Sequence, residues 1–299
     1  MDIISVYAKL LSESILSLYP IFVKKINLSI DIQLWTRLIT YVLMALFFIN
    51  YTWISNNLFT REALLLSFVN LAHVYFSYEG FLNLDSGVSF SIFNIYPLLI
   101  LLFGGVSWKI EYFICICGLI CFILSNYYSQ NKSINYDNNF YYGFVMIILA
   151  AITEAIIYFV IKNIKTENNW NHMFIAYFFG SIIMSIYVFK EYYLKNNIEI
   201  FSEIEEKKNK TDKDKDKNNN FSIILLAIVI NGLFGAIGYW LRFYSIYRLD
   251  SSIYAILSFF GIIMAYIYGI IFANESINFY KILGTILIIL SNYLVEKNY

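Results

Sequence analysis

The stretch from Phe140 to Ile161, FYYGFVMIILAAITEAIIYFVI, holds a single charged residue, Glu154. A helix rises about 1.5 Å per residue and the hydrocarbon core of a bilayer is about 30 Å thick, so about twenty apolar residues cross it. Stretches of this kind recur along the whole chain, at roughly 3–23, 33–50, 63–82, 86–105, 110–128, 141–161, 171–192, 221–243, 252–272 and 277–294. Backbone groups left unpaired in lipid are costly, so such segments are helices or strands of a closed barrel. Alternation with period two is absent, which leaves helices. The sequence predicts an all-α, multi-pass integral membrane protein with about ten transmembrane helices.

Composition agrees. Hydrophobic residues make up 60% of the chain and charged residues 14%, where a soluble domain carries about 25% charged residues. With 21 basic and 21 acidic residues there is no net field to attract nucleic acid. The expected surroundings are a lipid bilayer. Cys115, Cys117 and Cys121 share one apolar stretch without a CxxC spacing, which reads as packing and predicts neither a disulfide, a metal site nor a cofactor. The N-terminal MDIISVYAKLL has no basic leader, so no removable signal peptide is expected.

A second pattern organises the chain. The string I-L-S-N-Y occurs twice, and a shift of 166 residues lays Gly118 on Gly284 and Leu124-Ser125-Asn126-Tyr127 on Leu290-Ser291-Asn292-Tyr293. A shift of 165 lays the L-D-S of Leu84–Ser86 on that of Leu249–Ser251. Earlier in each half, SESILSLYPIFVKK aligns with TEAIIYFVIKNIK and puts Glu13 on Glu154. Matches in conserved order predict a tandem duplication, with one five-helix repeat over 1–130 and another over 140–299. Five is odd, so the second copy enters the membrane from the opposite side. Inverted repeats of this kind place a substrate site near the midplane between the halves. The charged, Asn-rich insert at 195–220 cannot bury apolar surface and is expected to be disordered.

These features are similar to those of the drug/metabolite transporter superfamily, in particular its EamA-like ten-helix members. The resemblance rests on basic residues after the first span of each half (FVKK and VIKNIK) and on Arg37 opening the second span in LWTRLITY. It also rests on Pro97 in FNIYPLLILL and on Glu275 and Gly284 in ANESINFYKILGTILIIL. It covers the chain apart from the insert. Lys109 stands where the first-half Glu would be, Ile262 or its neighbours stand where the second-half Pro would be, and His172 or Met173 stands opposite Arg37. The resemblance implies a solute transporter working by alternating access on a metabolite such as an amino acid, nucleotide-sugar or sugar phosphate.

Ionisable residues at mid-span are costly in lipid and are functional candidates. Glu13 and Glu154 are such residues, available to take a proton or a cationic substrate group. The alternative is local neutralisation, which Lys9, one turn before Glu13, offers to that residue; Glu154 has no such neighbour in its own span. Asn70, His73 and Ser77 form one stripe of the third span. Their counterparts Gly235, Gly238 and Arg242, with Asn231 one turn earlier, form another. Both stripes suit cavity lining, and the glycines equally suit close helix packing. Arg242 is available to meet an anionic group or to snorkel to the interface. Asn94 and Pro97 mark a kink or hinge in the fourth span. Tyr75, Tyr78, Tyr239 and Trp240 could sandwich a ring. Asp85 and Asp250 are expected as helix N-caps, and Gly118 and Gly284 as a packing contact or a homodimer face. Two rival functions remain open. A membrane-embedded enzyme has little chemistry to draw on, with only His73 and His172 as histidines, whereas a non-transporting scaffold or receptor could use the same fold.

Overall fold

The computed structural model describes residues 3–26, 28–104, 110–129, 137–164, 166, 168–202, 222–249 and 251–297. Among the described residues the regular structure is all helical. In chain order the helices are α1 (Ile3–Leu16), α2 (Tyr19–Lys25), α3 (Ile30–Leu46), α4 (Tyr51–Asn57), α5 (Arg61–Asn83), α6 (Ser86–Phe93) and α7 (Tyr96–Phe103). Then follow α8 (Ile110–Ser129), α9 (Asp137–Asn163), α10 (Asn169–Ser202), α11 (222–230), a π-helical turn (Asn231–Ala236), α12 (Ile237–Arg248), α13 (Ser251–Ala273) and α14 (Phe279–Lys297). Ile3–Lys25, Asn139–Asn163, Asn169–Glu191 and Ser222–Ile246 are long and apolar enough to cross a membrane; shorter apolar helices accompany them. The helix of α10 runs to Ser202, into the segment expected to be disordered. The remainder of that segment, with Lys109 and Asp250, lies outside the described residues.

The distribution of polarity reverses that of a soluble protein. Large apolar side chains such as Leu11, Phe47, Phe189 and Ile271 point outward, while Lys9, Arg37, Glu13, Glu154 and Arg242 are buried. That arrangement suits a lipid solvent, because hydrocarbon welcomes the apolar exterior and charges survive only where protein groups satisfy them.

Three helices depart from regularity, each for a local reason. The first expected span breaks at Ser17–Leu18, with Pro20 in the first turn of α2. The fourth breaks at Asn94–Ile95, with Pro97 in the first turn of α7. Proline has no N–H and its ring crowds the preceding turn, so a helix restarts there rather than continuing. The third departure is the π turn at Asn231–Ala236. α9 and α13, which the repeat expected from the sequence would pair with the broken spans, run without interruption.

Packing is close where residues are small. α8 lies along α14, and a Cβ added to Gly118 would sit 3.0 Å from the Gly284 carbonyl oxygen. The reverse approach, from Gly284 to the Gly118 carbonyl, would be 2.9 Å. These two glycines face each other within one chain. Elsewhere α5 packs on α9, α3 on α10, and α1 on both α12 and α13.

One end of the bundle is tied by charge. Asn274 adopts φ 54° at the end of α13, the left-handed geometry in which helices commonly stop. The chain then turns Glu275 back toward α6. Its carboxylate accepts the Ser86 N–H at 2.7 Å and the Ser86 hydroxyl at 2.8 Å, and it pairs with Lys24 at 2.5 Å. Asp85 occupies the N-cap position of α6 but makes no cap bond with its side chain. Instead it pairs with Lys281, leaving Glu275 to satisfy the helix N-terminus that Asp85 was expected to cap.

Candidate functional site

Where α1, α3, α5, α6 and α12 converge, the bundle encloses a cavity of about 30 Å³. Glu13, Tyr19, Arg37, His73, Tyr239 and Arg242 line it, with Phe81, Phe90 and Phe93 among its apolar walls. That volume holds a water or two, far below the several hundred Å³ of a metabolite site. In this conformation the site has no room for a metabolite.

Two of its charges are matched. Glu13 accepts from Lys9, one turn earlier on α1. The Lys9 ammonium also sits 3.5 Å from the centroid of the Tyr254 ring, so it is held by a carboxylate and an aromatic face. A Cβ on Gly261 would come within 2.6 Å of Glu13 Oε2, so the glycine lets α13 pass without displacing the carboxylate. Glu154 of α9 pairs with Arg242 of α12, and His73 Nε2 of α5 lies 3.5 Å from its other oxygen. His73 Nδ1 faces the Ala150 carbonyl at 3.1 Å and the Thr153 hydroxyl at 3.2 Å. The Tyr254 hydroxyl accepts from Arg242 Nε at 3.2 Å. The partner that Glu154 lacks in its own span thus comes from α12. Arg242, 4% exposed, does not snorkel to an interface.

Arg37 is different. It is 2% exposed and its guanidinium is surrounded by the rings of Tyr19, Tyr239, Tyr78 and Tyr41, with centroids at 4.6, 4.9, 5.4 and 5.5 Å. Among the described residues no carboxylate pairs with it, and its Nε and Nη2 have no hydrogen-bond partner. The cage is fixed by its own hydroxyls. Tyr41 donates to Tyr19 at 2.6 Å, and Tyr19 donates to Asn231 Oδ1 at 2.8 Å. Gly235, on the π turn, makes room for this chain, since a Cβ there would fall within 2.0 Å of both hydroxyls.

Other expected residues lie outside the cavity wall. Asn70 donates to the Ala176 carbonyl at 3.0 Å and thereby joins α5 to α10. The side-chain amide of Asn94 donates to Phe90 at the break between α6 and α7, three residues before Pro97. Gly238 accepts from the Ser12 hydroxyl at 2.8 Å, where α12 crosses α1. Of the four aromatics considered for a ring sandwich, Tyr78 and Tyr239 belong to the cage. Tyr75 is exposed, and Trp240 stacks on Tyr244.

A model of the EamA-like transporter family matches residues 141–296, just over half of the chain. The chain belongs to the EamA-like transporter family. This family lies within the drug/metabolite transporter superfamily, so the polar interior described above is that of a membrane transporter. Among solved structures, the crystal structure of one protein matches with a TM-score of 0.56 over 99% of this chain and 96% of that one, at 9% identity. The two therefore share a fold over almost their full lengths. No curated protein matches the sequence. Of the residues on which the resemblance rests, Arg37 lies in the tyrosine cage, Glu275 caps α6, and Gly284 meets Gly118.

Proposed function

We propose that this chain is a secondary transporter that moves a small metabolite across a membrane by alternating access, with the Arg37–Glu13–Arg242 cavity as its substrate site. The observation that carries the proposal is the gathering of four buried side chains, Glu13, Arg37, His73 and Arg242, around one small cavity inside an apolar bundle. Groups of that kind are costly in a bilayer and mark substrate pathways. Broken helices at the same place fit the way transporter sites are built.

The architecture that goes with this reading is ten spanning helices in two inverted halves, 1–130 and 140–299. The packing supports it. α5 against α9 and α12 against α1 are the same pairing with the halves exchanged. The pairs α3 with α10 and α8 with α14 each join an element to its own counterpart. Mutual contact of Gly118 and Gly284 is what a two-fold axis between them would produce. Opening on one side would separate α2, α6 and α14 and break the Lys24–Glu275 and Asp85–Lys281 pairs.

The test is counterflow uptake by purified protein in liposomes, against amino acids, nucleotide-sugars and sugar phosphates. Saturable exchange of at least one class is expected. Folded protein that exchanges none of them would leave the scaffold or receptor reading in its place.

A further inference from the structure

The charges around the cavity do not balance. Lys9 and Glu13 cancel, and so do Arg242 and Glu154. Among the described residues Arg37 has no anion, so the site holds an excess of one positive charge. A buried cation without a counter-ion is costly, and tyrosine faces return only part of what hydration supplied. The four rings also leave two polar atoms of the guanidinium, Nε and Nη2, without partners. Those are the two nitrogens of one guanidinium edge, the arrangement that binds a carboxylate or phosphate bidentately.

From this geometry we infer that the transported substrate carries an oxyanion, a carboxylate or phosphate group, which docks on the Nε/Nη2 edge of Arg37 inside the tyrosine cage. The inference deepens the proposed transport function and rests on it. It sets aside a cationic substrate held by Glu13 or Glu154, because both carboxylates are already engaged by Lys9 and Arg242. It also explains why the cage hydroxyls bond to one another and to Asn231. They hold the rings around the cation without satisfying its buried Nε/Nη2 edge, which is left for a ligand to pair.

The experiment measures equilibrium binding by calorimetry on protein in nanodiscs, so that no gradient or turnover is needed. Its probes are inorganic phosphate, glucose 6-phosphate and succinate, with glucose as the neutral control and putrescine as the cationic one. At least one anion should bind to the wild type, more weakly as salt rises, and at least tenfold more weakly to Arg37→Gln. Arg37→Lys should recover part of the lost affinity, because it restores the charge without the fork. Phosphate and glucose 6-phosphate responding without succinate would assign a phosphate group, and the reverse a carboxylate; either supports the inference. Binding of putrescine or glucose in place of every anion, or anion affinity unchanged in a folded Arg37→Gln, would overturn it. Counterflow separates the two readings. Anion binding without flux would remove the transporter reading and keep the anion site. Flux of uncharged or cationic solutes unaffected by Arg37→Gln would do the opposite.

Discussion

Glu154→Gln isolates the cost of a broken ion pair, because the substitution keeps the shape of the side chain and removes only its charge. Glu154 and Arg242 are 6% and 4% exposed, so solvent screens their interaction little. Removing one member leaves the other buried and uncompensated, at a cost of about 3–5 kcal/mol. His73 cannot replace the lost anion, and the Tyr254 hydroxyl offers Arg242 only a neutral acceptor. For a chain of this length 1 kcal/mol moves the unfolding midpoint by about 2 °C, at the low end of the usual scaling. Glu154→Gln is therefore expected to unfold roughly 6–10 °C below wild type, measured in one detergent at one heating rate. The double variant Glu154→Gln/Arg242→Met removes both charges. Because a buried pair is often no more stable than the apolar residues that replace it, the double variant should regain most of that loss. A single variant within about 2 °C of wild type, or a double variant no more stable than the single one, would refute the reasoning.

The tied end of the bundle gives a ranking. Glu275→Gln removes a carboxylate that is 9% exposed and serves Lys24 and Ser86 together, and should lower stability by about 2–3 kcal/mol. Asp85→Asn acts on a side chain that is 38% exposed, so it should cost about 1 kcal/mol or less; equal midpoints for the two would contradict this. Gly284→Ala drives a methyl against the Gly118 carbonyl, which no rotamer change relieves, and should cost about 1–3 kcal/mol in the same thermal assay. Gly235→Ala should be destabilised through the Tyr19 and Tyr41 hydroxyls, and replacing both tyrosines by Phe in that background should recover stability. No recovery would place the strain elsewhere.

The helices were legible because apolar runs and their charged breaks are local properties of the chain. Lys9, one turn from Glu13, was legible for the same reason. The Glu154–Arg242 pair was not, since its members lie 88 positions apart and only tertiary packing brings them together. Arg37 shows how a small boundary error hides a site. With the second span drawn from about residue 33, Arg37 stands near its opening and enters only through the family resemblance. In the structure α3 begins at Ile30, which sets Arg37 two turns inside. Pro20 lies inside the first apolar run, and hydropathy registers no break where proline ends one helix and starts another.

The two prolines connect the fold to the site. Each occurs in the same local context, Ser17-Leu18-Tyr19-Pro20 and Asn94-Ile95-Tyr96-Pro97, and each tyrosine points its hydroxyl inward, to Tyr41 and Asn231 in one case and to Ser258 in the other. A proline also deprives the carbonyl four residues earlier of its helical donor. Those carbonyls belong to Leu16 and Phe93, and both residues line the cavity. The same two breaks thus position buried tyrosines and deprive two cavity-lining residues, Leu16 and Phe93, of the helical donor to their carbonyls. A substrate with an oxyanion at one end and hydroxyl donors at the other would use Arg37 and those carbonyls, which ranks glucose 6-phosphate above inorganic phosphate among the anions. Tighter binding of inorganic phosphate would count against the acceptors, while the charge argument at Arg37 would stand.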